Sequence, residues 1–142
     1  MALASNLAGI AIAQSDTTVA HTMGEALGAF FDVDHGLAVG ILLPHVMRYN
    51  LFTNLQRFAD IASAIGEYRG GYLTLREAAL KSIDAVRKLL VEINLDLRLR
   101  DIGVRENLLS EVTDYVMRPG ATVSNPRIVT REGVLQMFRE AF

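Results

Sequence analysis

Apolar residues recur at three- and four-residue intervals from one end of the chain to the other, and no stretch alternates apolar with polar as a half-buried strand would. The pattern predicts an all-α fold. Six helices can be drawn, at about Leu3 to Ala13, Thr17 to Gly28, His35 to Tyr49, Leu55 to Ala64, Leu75 to Ile93 and Glu106 to Met117, with a seventh from Arg131 to Ala141. Local chemistry marks their ends. Thr130 offers a capping hydroxyl ahead of the last helix, and Pro119-Gly120 stops the one before it. Ala121 to Val129, which contains Asn125-Pro126, reads as a connector.

Within the helix from Leu75 to Ile93, Leu75, Ala79, Ile83, Val86, Leu90 and Ile93 share one stripe, while Arg76, Glu77, Lys81, Asp84 and Lys88 lie elsewhere. That is a packing face. Met1 to Ala13 is apolar with no basic residue ahead of it, and Gln14, Ser15 and Asp16 interrupt it, so it reads as a buried helix rather than a signal peptide. The longest apolar run, Leu37 to Leu43, contains Gly40 and meets Pro44, far short of the roughly 20 residues a membrane span needs. No membrane association is expected. Gly66, Gly70 and Gly71 break the middle of the chain without a compositional shift, which points to a single domain over residues 1–142, divisible into two subdomains, with no internal repeat.

Composition narrows the chemistry. The 142 residues are 51% hydrophobic and 21% charged, enough apolar material for one buried core. A formal charge of -2 with acidic and basic residues interspersed leaves no electrostatic footprint for nucleic acid. There is no cysteine, so any bound metal must be held by His, Asp or Glu, and the composition suits a reducing, cytoplasmic setting.

One segment carries candidate chemistry. On a helix starting near Thr17, Met23, Ala26, Leu27 and Phe30 form an apolar stripe, while Thr18, His21, Glu25 and Gly28 gather on the opposite side. His21 and Glu25, four residues apart, are neighbours on the helix surface and can share a metal, a water or a hydrogen bond; spacing alone favours a solvent-facing His-Glu pair. If the helix ends at Gly28, Ala29 to Asp34 can retrace up to about 20 Å and return His35 beside His21. If it continues to Phe31, His35 begins a new helix about 15 Å away, out of reach without a sharp crossing. Asp34 is placed to cap that next helix, with His35 in its first turn and Gly36 permitting close approach. His45 lies a further ten residues on, about 15 Å of helical rise, and belongs to the structure or to an outer site rather than to the same ion.

The run Val19-Ala-His-Thr-Met-Gly-Glu-Ala-Leu-Gly-Ala-Phe-Phe-Asp-Val-Asp-His-Gly36, followed by Ile41-Leu-Leu-Pro-His-Val-Met47, resembles the metal-binding signature of the iron-containing alcohol dehydrogenases. Leu7-Ala-Gly-Ile10, Arg57-Phe-Ala-Asp60, Asn125-Pro-Arg127 and Val129-Thr-Arg-Glu132 extend the resemblance over essentially the whole chain. It implies the helical, dehydroquinate synthase-like C-terminal domain of that family. That domain binds one divalent metal, iron or alternatively zinc, through one Asp and three His, and His21 and His35 match the last two His. The other two ligands sit upstream on one helix in the family, and no such pair precedes His21. The family's NAD or NADP site lies in an N-terminal nucleotide-binding domain with a glycine-rich loop, which is absent from this chain.

The implied reaction is reversible oxidation of a small-molecule alcohol to an aldehyde or ketone, with the isolated chain inactive. Many relatives carry a second His at the place of Glu25 and Pro at the place of Asp34. Glu25 is assigned as a catalytic residue in the metal's outer shell, holding a water or relaying a proton, and Asp32 and Asp34 as partners for the imidazoles. Two other readings remain: a standalone helical domain without catalysis, and a metal-binding protein or hydrolase built on His21, Glu25 and His35. Apolar surface left bare in an isolated domain favours a homo-oligomer.

Overall fold

A computed structural model describes residues 1–142. Seven α-helices and no strands account for its regular structure: α1 (Ala2–Ser15), α2 (Val19–Phe31), α3 (His35–Asn50), α4 (Leu55–Ile65), α5 (Leu75–Glu92), α6 (Leu109–Val116) and α7 (Arg131–Ala141). Short 3-10 turns at Leu51–Thr53, Leu99–Ile102 and Glu106–Leu108 join them. The all-α expectation holds, with one division in the sixth element: its first turn, Glu106–Leu108, is 3-10 and only Leu109–Val116 is α-helical.

The principal core lies where α2, α3, α6 and α7 converge. Met23, Ala26 and Leu27 of α2 meet Ala38, Leu42 and Val46 of α3, Val112 and Val116 of α6, and Val134 and Phe138 of α7, all fully or nearly fully buried. Each large side chain among them contributes about 1.5–3 kcal/mol by leaving water. The apolar stripe of α2 is therefore its packing face, as its spacing indicates. A smaller cluster of Met47, Leu51, Ala79 and Ile83 joins the end of α3 to α5, and α4 packs along α5.

Two packing expectations need correction. In α5 the buried residues are Ala78, Ala79, Ser82, Ile83 and Ala85; of the predicted stripe, Ala79 and Ile83 are buried and Val86 and Leu90 half-buried, whereas Leu75 stays exposed, as does Ile93 just past the helix, because the stripe is longer than the surface it rests on. Helix α1 was expected to be buried, yet none of its residues is, and Leu3, Leu7 and Ile10 each remain more than half exposed. Its apolar residues surround the helix instead of forming a face, and no other part of this chain packs along it. No helix is long and apolar enough to cross a membrane.

Two helix starts follow the cues in the sequence. Asp34 caps α3 by accepting the Leu37 N–H at 3.0 Å, and Thr130 caps α7 by accepting the Gly133 N–H at 3.1 Å. Thr74 and Glu77 close a capping box at the start of α5.

Candidate metal centre

Helix α2 does not end at Gly28. It runs to Phe31 and stops at Asp32, whose left-handed backbone (φ 55°, ψ 34°) brings its N–H back onto the Gly28 carbonyl at 3.0 Å. Asp32, Val33 and Asp34 then reverse the chain within three residues. The return runs along α2 itself: a Cβ on Gly28 would stand 3.3 Å from the Val33 carbonyl oxygen. The sharp crossing that a helix continuing to Phe31 requires is thus what occurs, and Gly28 is the bare surface it folds over rather than the end of the helix.

This crossing brings the two histidines together. His21, in the first turn of α2, and His35, the first residue of α3, approach to 3.2 Å between Nδ1 and Nε2, with ring centroids 5.1 Å apart and planes inclined at 54°. The approach depends on Gly24, one turn along α2 from His21. A Cβ there would lie 3.5 Å from the His35 ring and 2.7 Å from Val39 Cγ2. Gly24 and Gly28 together form the small stripe that α3 and its connection cross.

The His21 ring is half-buried and the His35 ring exposed, so the pair opens to the surface. Their separation admits two uses. One nitrogen can donate a proton to the other, or both can direct lone pairs at one cation. Two imidazole nitrogens bound at about 2.0–2.1 Å to one tetrahedral ion stand about 3.4 Å apart, a separation close to the 3.2 Å seen here.

The remaining candidates lie around the pair without joining it. Glu25 is exposed on α2, and no third His, Asp or Glu completes a three-ligand cluster with the histidines. Asp32 and Asp34, assigned as partners for the imidazoles, have other tasks. Asp32 ends α2, the Asp34 carboxylate caps α3, and the imidazoles hydrogen-bond only to each other.

His45 belongs to a different place. It lines a cavity of about 540 Å³ between α3, the end of α5 and the end of α7, with Arg87, Arg98 and Glu140. Burial and the neighbouring Arg87 cation hold its imidazole pKa below the usual 6.5, and Arg48 adds to that effect, against the opposing Glu140 carboxylate 3.8 Å away. Its neutral form is favoured, separate from the His21–His35 pair.

Two features of the site are not apparent from residue chemistry. Gly24 carries no functional group, and its one signal is the four-residue spacing to Gly28 on the face that also bears His21. Asn125 lies in the connector, yet its amide is buried and reaches both helices of the pair.

The all-helical fold and the crossed α2–α3 pair define a helical domain of a recognised class, and comparison with known proteins gives its family. The model of the Fe-containing alcohol dehydrogenase family, C-terminal part, matches residues 1–142. The chain belongs to that family. It is 41% identical over 142 residues to the 1,3-propanediol dehydrogenase of Klebsiella pneumoniae, covering 100% of this chain and 36% of that protein. With the lactaldehyde reductase of Escherichia coli K12 it shares 34% identity over 142 residues, covering 100% of this chain and 37% of that protein. The alcohol dehydrogenase of Oenococcus oeni superposes with a TM-score of 0.89 at 33% identity, over 96% of this chain and 35% of that one. The chain therefore spans about a third of the length of these relatives and corresponds to their C-terminal domain.

Proposed function

We propose that this chain supplies two imidazole ligands, His21 and His35, to the catalytic divalent-metal centre of a NAD- or NADP-dependent alcohol dehydrogenase acting on a small alcohol or aldehyde. The observation that carries this reading is the 3.2 Å approach of His21 Nδ1 to His35 Nε2 across the α2–α3 crossing. A pair of neutral imidazoles offers two borderline donors suited to iron or zinc, and the open side of the pair leaves room for further ligands and a substrate oxygen. A metal held there would polarise that oxygen as a Lewis acid.

The chain's own residues have distinct parts. His21 and His35 bind as neutral rings and fix the ion's position relative to α2 and α3. Glu25, four residues beyond His21 and exposed, holds a water or relays a proton at the rim of the site. The other two ligands and the nicotinamide site lie outside residues 1–142, and the chain alone binds metal weakly and turns over no alcohol. Residues 1–142 act as one domain.

Metal content and NAD-dependent alcohol oxidation, measured side by side on the 142-residue chain and on His21→Ala and His35→Ala variants, test this. Metal binding that needs both imidazoles, with no turnover, supports the reading. Metal binding indifferent to both substitutions contradicts it.

A further inference from the structure

We infer that Asn125, more than a hundred residues from His21 in sequence, is the positioning residue that sets the His21–His35 approach; the inference rests on the metal-centre reading for one of its two measurements. The first turn of α2 is where His21 sits, and a helix start leaves its N–H groups without intrahelical partners. Thr18, at the N-cap, makes no side-chain capping bond. The Val19 N–H instead donates to Asn125 Oδ1 at 3.2 Å.

The same oxygen accepts from Asn50 Nδ2 at 3.0 Å, while Asn125 Nδ2 donates to Asn50 Oδ1 at 2.8 Å and to the Arg127 carbonyl at 2.7 Å. Asn50 is the last residue of α3, the helix that begins with His35. One buried amide therefore joins the start of α2 to the end of α3, the two helices that carry the imidazoles. The connector reinforces it on either side. The Thr22 hydroxyl donates to the Ala121 carbonyl at 2.8 Å, and the Ser124 hydroxyl donates to the Asp16 carboxylate just before α2. His21 thus lies between two tethered points, Val19 and Thr22, and the rotation and height of α2 against α3 are fixed from the connector.

Asparagine suits this role better than its isosteres. Its carboxamide offers two acceptor sites and two donors, and all four are used here by partners on three segments. Leucine supplies neither function, and aspartate supplies only the acceptors.

The test uses Asn125→Ala in the 142-residue chain, with Thr130→Ala as a control that removes the α7 cap without touching α2. Two quantities are read: the nuclear Overhauser effect between the His21 and His35 rings, and zinc affinity. The expected result for Asn125→Ala is loss of the ring-to-ring effect and about a ten-fold drop in zinc affinity, while the control keeps both. Asn125→Asp, which keeps the acceptor facing Val19 but loses both donors, including the one to Asn50, is expected to weaken the ring-to-ring effect in part, and it serves as the test if the alanine variant does not fold. A ring-to-ring effect preserved in Asn125→Ala, or undiminished in Asn125→Asp where the alanine variant does not fold, or lost equally in the control, overturns the inference. Loss of that effect in a chain whose zinc binding never involved His21 upholds the positioning role and overturns the metal-centre reading instead.

Discussion

Gly24 and Val39 touch where α3 crosses α2: a Cβ on Gly24 would stand 2.7 Å from Val39 Cγ2, closer than real side chains approach. Val39 is β-branched and held in one rotamer within its helix, so it has little freedom to move aside. Alanine at this point separates the helices that hold His21 and His35.

Gly24→Ala is accordingly expected to destabilise the chain. Overpacking costs about 1–3 kcal/mol, and replacing a mid-helix glycine returns about 1 kcal/mol, for a net loss of about 1 kcal/mol. Urea unfolding measures it. Val39→Ala in the same chain should restore most of the loss, a coupling that a double-mutant cycle detects; independent, additive effects would show that the crossing is not set by this contact.

The capping box of α5 gives a second prediction. Thr74 Oγ1 accepts the Glu77 N–H at 3.3 Å, and the Glu77 carboxylate accepts the Thr74 N–H at 2.8 Å. Thr74→Ala removes one half of this exchange and should cost about 1 kcal/mol, whereas Thr74→Ser should cost far less. Equal losses for the two variants would place the role of Thr74 in its methyl group rather than its hydroxyl.

The third prediction concerns pH. His45 in the folded chain has a pKa held below the 6.5 of an unperturbed imidazole, through burial and then Arg87. In the window just below 6.5 the unfolded chain binds more protons at this position than the folded one, so stability falls as pH is lowered through it. The contribution is fully present above 6.5 and is lost as pH falls through the folded value. Arg87→Gln should raise the His45 pKa, and Glu140→Gln should lower it further, since the carboxylate is what opposes the shift. A nuclear magnetic resonance titration of the His45 ring checks both signs, and a His45 pKa unmoved by either change would show that neither side chain acts on it.

Much of the fold is legible in the sequence, because helical periodicity and capping chemistry are local. Asp34, Thr130 and the apolar stripe of α2 perform the roles their spacing indicates. Tertiary relationships are less legible. Periodicity does not show that α2 runs past Gly28, since the left-handed stop at Asp32 depends on the chain packing back against the helix. Nor do the apolar residues of α1 reveal that nothing in this chain covers them. The His21–His35 pair is suggested by family resemblance, but its geometry comes from Gly24 and from the Asn50–Asn125 amide exchange, whose partners are 75 residues apart. Hydrogen bonds at that separation leave no periodic trace.

The central claim, that His21 and His35 converge on one ion, is tested most directly by X-ray absorption on the zinc-loaded chain. Two imidazole nitrogens at about 2.0–2.1 Å from the metal are predicted, falling to one in His21→Ala and one in His35→Ala. An imidazole count unchanged by either substitution would contradict the account.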